Sequence, residues 1–410
     1  MASTPTVLVI GGGATGTGIA RDLSMRGIEV HLVERGPLAS GTTGRMHGLL
    51  HSGARYANDD PESAADCAVE NEILRDIAGH CVRDTGGLFV PGPADDRAYF
   101  EAKAEACTAC GIDVERLSGA DARALEPTLS DGIDRALWVP DATVDSPSVT
   151  VATALAAEAN GARISTETAV VDIVTEDHRV TGAVLDGDAR TTVGVDHVVN
   201  ATGPWADRVA ALAGCDFDMR HSKGSMVVLA FPALETVVNW CRPKGQADIV
   251  VPFTDDVVLG TTDLPVEDSD EVRVDPWEVE ELRTEIATLV PGLREATVER
   301  SYAGVRPLYA PNTTGATETE HVTRDFFVLD HAATDGVEGF TSVVGGKFTT
   351  HRRMAERTAD HVASRLDVDE PSRTAEVALP GRDDPSVLEA AAARFGVASQ
   401  LPVAGGDGWS

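Results

Sequence analysis

The residues that could do chemistry fall into three glycine turns and one stretch rich in histidine and arginine. Gly11-Gly12-Gly13-Ala14-Thr15-Gly16 follows the apolar, β-branched run Thr6 to Ile10, the pattern of a strand buried on both faces of a parallel sheet. A helical pattern then places Ile19, Ala20 and Leu23 on one face and ends at Gly27, a C-cap residue. A second strand pattern, Glu29 to Val33, closes on Glu34. This is the full strand-turn-helix-strand setting that a G-x-G-x-x-G pattern needs to hold a dinucleotide. Gly11 permits the tight turn, Gly13 lets backbone approach a pyrophosphate, and Gly16 allows close helix packing. The amides at Ala14 and Thr15 open the helix and present its partial positive charge, while Glu34 accepts from a ribose hydroxyl pair, with Arg35 beside it.

Further along, Ser40-Gly41-Thr42-Thr43-Gly44-Arg45 offers small hydroxyl residues and one cation, suited to the second side of a pyrophosphate. The fingerprint itself does not separate FAD from NAD. His47-Gly48-Leu49-Leu50-His51-Ser52-Gly53-Ala54-Arg55-Tyr56 brings two histidines, an arginine and a tyrosine into one Gly-rich loop, where cofactors of such sheets lie. Ala201-Thr202-Gly203 after the apolar run His197 to Asn200 is a second strand-to-helix turn. Gly345-Gly346-Lys347-Phe348-Thr349 is a third, with a lysine at the start of a helix. Lys223, in a Gly-adjacent loop, is a weaker candidate; Lys103 reads as a solvated helix residue, and Lys244 falls in no interpretable motif.

The elements that must position these groups belong to a long, acidic chain. Its 410 residues carry 34 basic and 66 acidic side chains, a formal charge of 34 − 66 = −32 with pI near 4.6. With 42% hydrophobic residues this is a foldable core and not a disordered polyanion. Such a charge repels nucleic acid and anionic membrane surfaces, so neither is expected as a direct partner. Four of the basic residues are lysines and the rest arginines, a surface suited to a high-salt cytoplasm. Any phosphate-bearing ligand would enter against this field and must be held by locally placed cations, and activity on such a ligand is expected to rise with salt. Six scattered cysteines indicate reduced thiols, and Cys107-Thr-Ala-Cys110 without a second pair indicates no metal or cluster site. There is no basic leader and no apolar run of about 18 residues, so neither a signal peptide nor a spanning helix is expected.

Three strand-glycine-helix units, separated in sequence, predict one nucleotide domain assembled from distant segments, with the intervening sheets as a second domain. The motifs GGGATGTGIARDLSMRGIEVHLVE, HGLLHSGARYA, NATGPWAD, KGS, GTTD, AGVRPL, TRDF and GGKFTTHR occur in this order over roughly residues 5–360. In them the chain resembles the FAD-dependent glycerol-3-phosphate dehydrogenases, and most of all the catalytic A subunits of the anaerobic enzyme. The resemblance implies an α/β fold: a Rossmann-like FAD-binding domain of the glutathione-reductase/D-amino-acid-oxidase type, interleaved with a mixed-sheet substrate or cap domain. The expected boundaries are 1–85, 145–215 and 325–366 for the FAD domain and 86–144 and 216–324 for the cap, with 367–410 as a peripheral acidic tail.

The implied reaction oxidises sn-glycerol 3-phosphate to dihydroxyacetone phosphate by hydride transfer to FAD. Electrons then pass through partner subunits to membrane quinone, the chain being cytoplasmic and peripheral on the inner membrane face. By resemblance, Arg55, Tyr56, Arg306, Arg324 and Lys347 bind the phosphate or the reacting carbinol, with Lys223 added from its Gly-adjacent loop; His51, Arg306 and Lys347 are the expected catalytic residues, and His51 is the preferred base because it precedes Arg55-Tyr56 in the same loop and imidazole has a suitable pKa. Gly11, Gly13, Ala14, Thr15, Gly16, Glu34, Arg35, Thr42, Thr43, His47, Gly48 and Leu50 hold the cofactor, with Ala201, Gly203, Gly345, Gly346, Lys347, Phe348 and Thr349. Two departures stand out. Met226 follows KGS where aerobic members often carry histidine, and no cysteine follows Cys241, so no iron–sulfur centre is expected in these residues. A flavin enzyme of the same fold acting on an amino acid or 2-hydroxy acid, and a non-catalytic flavin relay, are the alternatives.

Overall fold

The computed structural model describes residues 4–92, 95–243, 245–309 and 325–397. Its central sheet has the strand order Phe326–Asp330, Phe340–Gly345, His197–Asn200, Thr6–Ile10, Glu29–Val33, Arg163–Ser165. All neighbours are parallel except the first pair. Val9 faces Val199 on one side and Leu32 on the other, and this strand is buried from Val7 onward. The helix Ala14–Met25 covers one face, packed between Ser146–Ala159 and His351–Arg365. On the other face lies the antiparallel sheet Ala169–Glu176, Arg179–Asp186, Thr191–Gly194, whose Ile173, Val180 and Leu185 share a core with Leu8, Ile10 and Val33. Strands tens to hundreds of residues apart thus meet in one sheet, because the central strands Thr6–Ile10, His197–Asn200 and Phe340–Gly345 are buried almost throughout and only a covered parallel sheet buries both faces.

A second body is built on a nine-stranded mixed sheet. Its spine is the antiparallel pair Met219–Ala230 and Thr297–Tyr309, and the helix Pro276–Ile286 packs against it from a capping box of Asp275 and Glu278. The short sheet of Leu49–Leu50, Ala142–Val144 and Val82–Arg83 lies between the two bodies in sequence. This is the interleaved α/β arrangement that the motifs imply.

The end of the chain differs from expectation. In place of a peripheral tail, residues 367–397 dock onto the parallel-sheet body: Leu379, Leu388, Ala391, Ala392 and Phe395 are buried, and Arg21 donates to the carbonyls of Thr374 and Val377. The helix Ser386–Arg394 carries its apolar residues at i, i+3, i+4, i+7. That stripe is submerged in an acidic composition, which hides it from a reading by charge. Among the described residues no helix is long and apolar enough to cross a membrane.

Candidate active site

A cleft of about 600 Å³ opens at the carboxyl ends of Thr6–Ile10, His197–Asn200 and Phe340–Gly345. The glycine turn forms its floor. Gly11 has φ +112°, and a Cβ there would sit 2.5 Å from the Ala201 carbonyl oxygen, so the first and second turns touch backbone to backbone. Gly16 does not face the cleft; a Cβ on it would meet the Gly11 carbonyl oxygen at 1.9 Å, so its role is to seat the helix beneath the turn. Gly13, Ala14 and Thr15 line the cleft, and the Ala14 amide donates to Thr43 Oγ1 at 3.1 Å. Thr42 Oγ1 donates to the Val305 carbonyl at 2.7 Å, so this hydroxyl ties the loop to the mixed sheet.

Glu34 accepts from the Gly12 amide at 2.7 Å with one oxygen and from the Gly36 amide at 3.0 Å with the other. Burial pushes its carboxyl up while these two amides oppose the shift. Each oxygen keeps a further lone pair for a sugar hydroxyl. Across the cleft, the turn at Ala201 and Gly203 is braced from behind. Asn200 Nδ2 donates to the Ala206 carbonyl and to Ser342 Oγ, Thr202 Oγ1 donates to Asn200 Oδ1, and His331 joins Ser342 to Asp335. A cradle of side-chain-free backbone with an acceptor at one end is what a dinucleotide pyrophosphate and ribose require, so these residues fit FAD.

At the opposite end Gly345, Gly346, Lys347 and Phe348 complete the lining. Lys347 Nζ lies 2.9 Å from Ser63 Oγ and 4.6 Å from the Tyr56 ring centroid. Beyond Tyr56 the rings of His51 and His47 follow at 5.5 and 5.7 Å. The His51 amide donates to Thr349 Oγ1, which locks the histidine loop to the third turn. Lys347 therefore joins the cleft wall to the His47, His51 and Tyr56 group.

Arg306 lies on Thr297–Tyr309 opposite Ser222. Its guanidinium donates to Ser222 Oγ, the carbonyls of Lys223 and Thr262, and Thr261 Oγ1, with Asp263 at 3.5 Å. A Cβ on Gly224 would come within 2.6 Å of Arg306 Nη2, so the glycine of KGS makes room for the AGVRPL arginine. Lys223 itself goes elsewhere. Side chains alternate along Met219–Ala230, so Ser222 and Gly224 face Arg306 while Lys223 and Ser225 face the helix Pro276–Ile286. There Lys223 Nζ meets Glu278 at 2.6 Å and the Arg273 carbonyl at 2.8 Å, buried away from the cleft. Burial works against the Glu278 charge, but the Asp275 amide, Lys223 and two hydroxyls hold its carboxyl below the usual range.

Arg55 pairs with the buried Asp248 at 3.0 Å, and Asp248 also holds Arg242 and the Gly245 amide. The loop carrying Arg55 is held by a residue expected to be solvated. Lys103 is buried; its Nζ donates to the carbonyls of Ala54 and Arg55 at 3.1 and 3.3 Å and stands over the rings of Phe89 and Tyr99. Desolvation lowers its pKa. Of the other expected contacts, Gly48 packs against the ring of Phe253, and Leu50 is a core residue whose carbonyl accepts from Asn71. Arg324 and Lys244 lie outside the described residues. Trp205, which lies in NATGPWAD, also borders the cleft, as do Arg208 and Asp270, which carried no signal in sequence, since Asp270 sits in one acidic run among many.

Comparison with known proteins agrees with this geometry. Residues 6–352 match the family described as FAD dependent oxidoreductase. The chain is 49% identical to the A1 subunit of the anaerobic glycerol-3-phosphate dehydrogenase of Haloferax volcanii, covering 98% of this chain and 70% of that one. It is 41% identical to the A subunit of the Escherichia coli K12 enzyme, over 93% and 71% of the two chains. Among solved structures, the Bacillus halodurans glycerol-3-phosphate dehydrogenase complexed with FAD superposes with TM-score 0.71 at 26% identity, covering 96% and 72%. The FAD-bound L-α-glycerophosphate oxidase of Mycoplasma pneumoniae shares the fold with TM-score 0.73 at 23% identity, covering 92% and 100%. With a match that spans both bodies, the chain belongs to the FAD-dependent oxidoreductase family, and its cofactor is FAD.

Proposed function

We propose that the protein oxidises sn-glycerol 3-phosphate to dihydroxyacetone phosphate, as the names of its relatives indicate for them. The observation that carries this reading is the position of Lys347, in the cleft wall on one side and over Tyr56 beside His51 on the other. FAD, when bound, supplies the acceptor for the C2 hydride and its electron pair. His51 takes the proton from the C2 hydroxyl, so that loss of hydride and proton together leaves the ketone. Arg306, held by Thr261, Thr262, Ser222 and the Lys223 carbonyl, presents a preoriented guanidinium to the substrate. Arg55, Arg324 and Tyr56 are the proposed phosphate contacts. A dianionic phosphate needs several cations, whereas a single carboxylate needs one bidentate arginine, and this favours the phosphate ester over an amino or 2-hydroxy acid. Electrons leave to a quinone-linked acceptor through partner subunits, since the relatives are named as subunits and no described helix can span a membrane. Anaerobic titration of the FAD-loaded protein tests the reading: glycerol 3-phosphate bleaches the flavin, while lactate and sarcosine do not. A flavin that glycerol 3-phosphate leaves oxidised would make the protein an electron relay, and bleaching by sarcosine or lactate alone would reassign the substrate.

A further inference from the structure

A connection from the mixed-sheet body borders the cleft with Ser269 and Asp270. Between Leu264–Pro265 and the helix Pro276–Ile286, the segment 266–275 reaches the parallel-sheet body, where Asp270 makes the most contacts and Asp268 and Ser269 add one each, to Arg208 and to the Pro204 carbonyl. One Asp270 oxygen accepts from Arg35 Nη2 at 2.9 Å and from the Trp205 indole at 2.8 Å; the other accepts from Arg208 Nη1 at 2.8 Å. The three donors come from two places around the cleft: Arg35 from the end of the second strand, and Trp205 and Arg208 from the second turn and the helix Ala206–Leu212 that it opens. Asp268 holds the other arm of Arg208 at 2.8 Å and accepts from the Asp270 amide, so the two acids share one turn. The Arg35 guanidinium lies 4.3 Å over the Trp205 ring, and a Cβ on Gly41 would come within 3.3 Å of that ring. Arg35, Trp205, Arg208, Ser269 and Asp270 all border the cleft, next to the ribose acceptor Glu34.

We propose that Asp270 is a clasp over the nucleotide end of the cleft, and that it must release its three donors before FAD can enter or leave. The clasp rests on the FAD reading but not on the identity of the substrate. Each contact is half exposed and weak alone, but one carboxylate ties the end of the second strand to the second turn and its helix, and all three contacts break together when the segment lifts. The test follows FAD release from the loaded protein, as flavin fluorescence after dilution into flavin-free buffer, for wild type, Asp270→Ala and the isosteric Asp270→Asn. Glu267→Ala, which removes one charge from the same segment, is the control. Both Asp270 variants are expected to release FAD about ten-fold faster than wild type, with the control at the wild-type rate. Wild-type release rates in the Asp270 variants, or equal acceleration by Glu267→Ala, would overturn the clasp. Wild-type protein that retains no FAD at all would instead overturn the cofactor reading.

Discussion

The Lys347 ammonium stands 4.6 Å from the centroid of the Tyr56 ring, although the two residues come from the third turn and from the histidine loop. The pair places a cation where the cleft wall meets the proposed substrate site. Lys347→Met is expected to keep its FAD and to slow substrate-driven flavin reduction by about 10²- to 10³-fold, the usual loss when one charge-stabilising donor is removed. Tyr56→Phe keeps the aromatic face and should lose far less. Stopped-flow absorbance under anaerobic conditions separates the two.

His51 is buried, with Tyr56 on one side, His47 on the other and its amide fixed by Thr349. As the base, its loss should cost about 10²- to 10⁴-fold in the rate of flavin reduction. His51→Ala with normal FAD content and a near-normal reduction rate would assign the proton to another acceptor.

Arg306 spreads its donors over four oxygen atoms in a fixed fork, a geometry that a lysine does not reproduce. Arg306→Lys should therefore behave nearly as badly as Arg306→Ala, with kcat/KM for glycerol 3-phosphate reduced at least about 100-fold. Unchanged turnover in the alanine variant would remove Arg306 from the substrate site.

Lys103 does not reach the cleft, yet it pins the carbonyls of Ala54 and Arg55. As a positioning residue it should act on binding. Lys103→Met is expected to raise KM by about ten-fold with kcat and FAD content little changed, because the loop is freed while the cofactor cradle stays intact. Lys103→Gln, which keeps a donor, should recover part of the loss. A fall in FAD content parallel to activity in both variants would mark Lys103 as structural only.

His197 is buried on the central sheet against Thr341, and burial pushes its pKa from 6.5 down to about 3. Above about pH 6.5 neither state binds the proton and the group is neutral to stability. Between that value and about 3 the unfolded chain binds a proton that the folded chain refuses, so acid costs up to about 1.4 kcal/mol per pH unit. Replacing it by asparagine removes this term. Denaturant melts at pH 7.5, 6.5 and 5.5 should show wild type losing stability faster than His197→Asn as pH falls; parallel slopes would contradict it.

Much of the cofactor half was legible along the chain. The run Thr6–Ile10, the turn that follows and the acceptor Glu34 lie within one local unit, and strand, turn and helix N-terminus are dictated by neighbouring residues. The match of AGVRPL to KGS was visible as two motifs, but not as a glycine making room for a guanidinium.

By itself, the sequence determined the fold class, the glycine cradle and the motifs that carry the cations, because these depend on short-range pattern. Only the tertiary structure decided where each cation points. Lys223 faces Glu278 and Arg306 faces the opposite side because strand register fixes which alternate side chains share a face, and register is set by partners far away in sequence. Lys103 is buried because Phe89 and Tyr99 fold over it, and Asp270 meets Arg35 across 235 positions of chain. A charge acquires its role from neighbours that local pattern cannot name, and nothing along the chain marks Asp270, among 66 acidic residues, as the one that meets Arg35, Trp205 and Arg208.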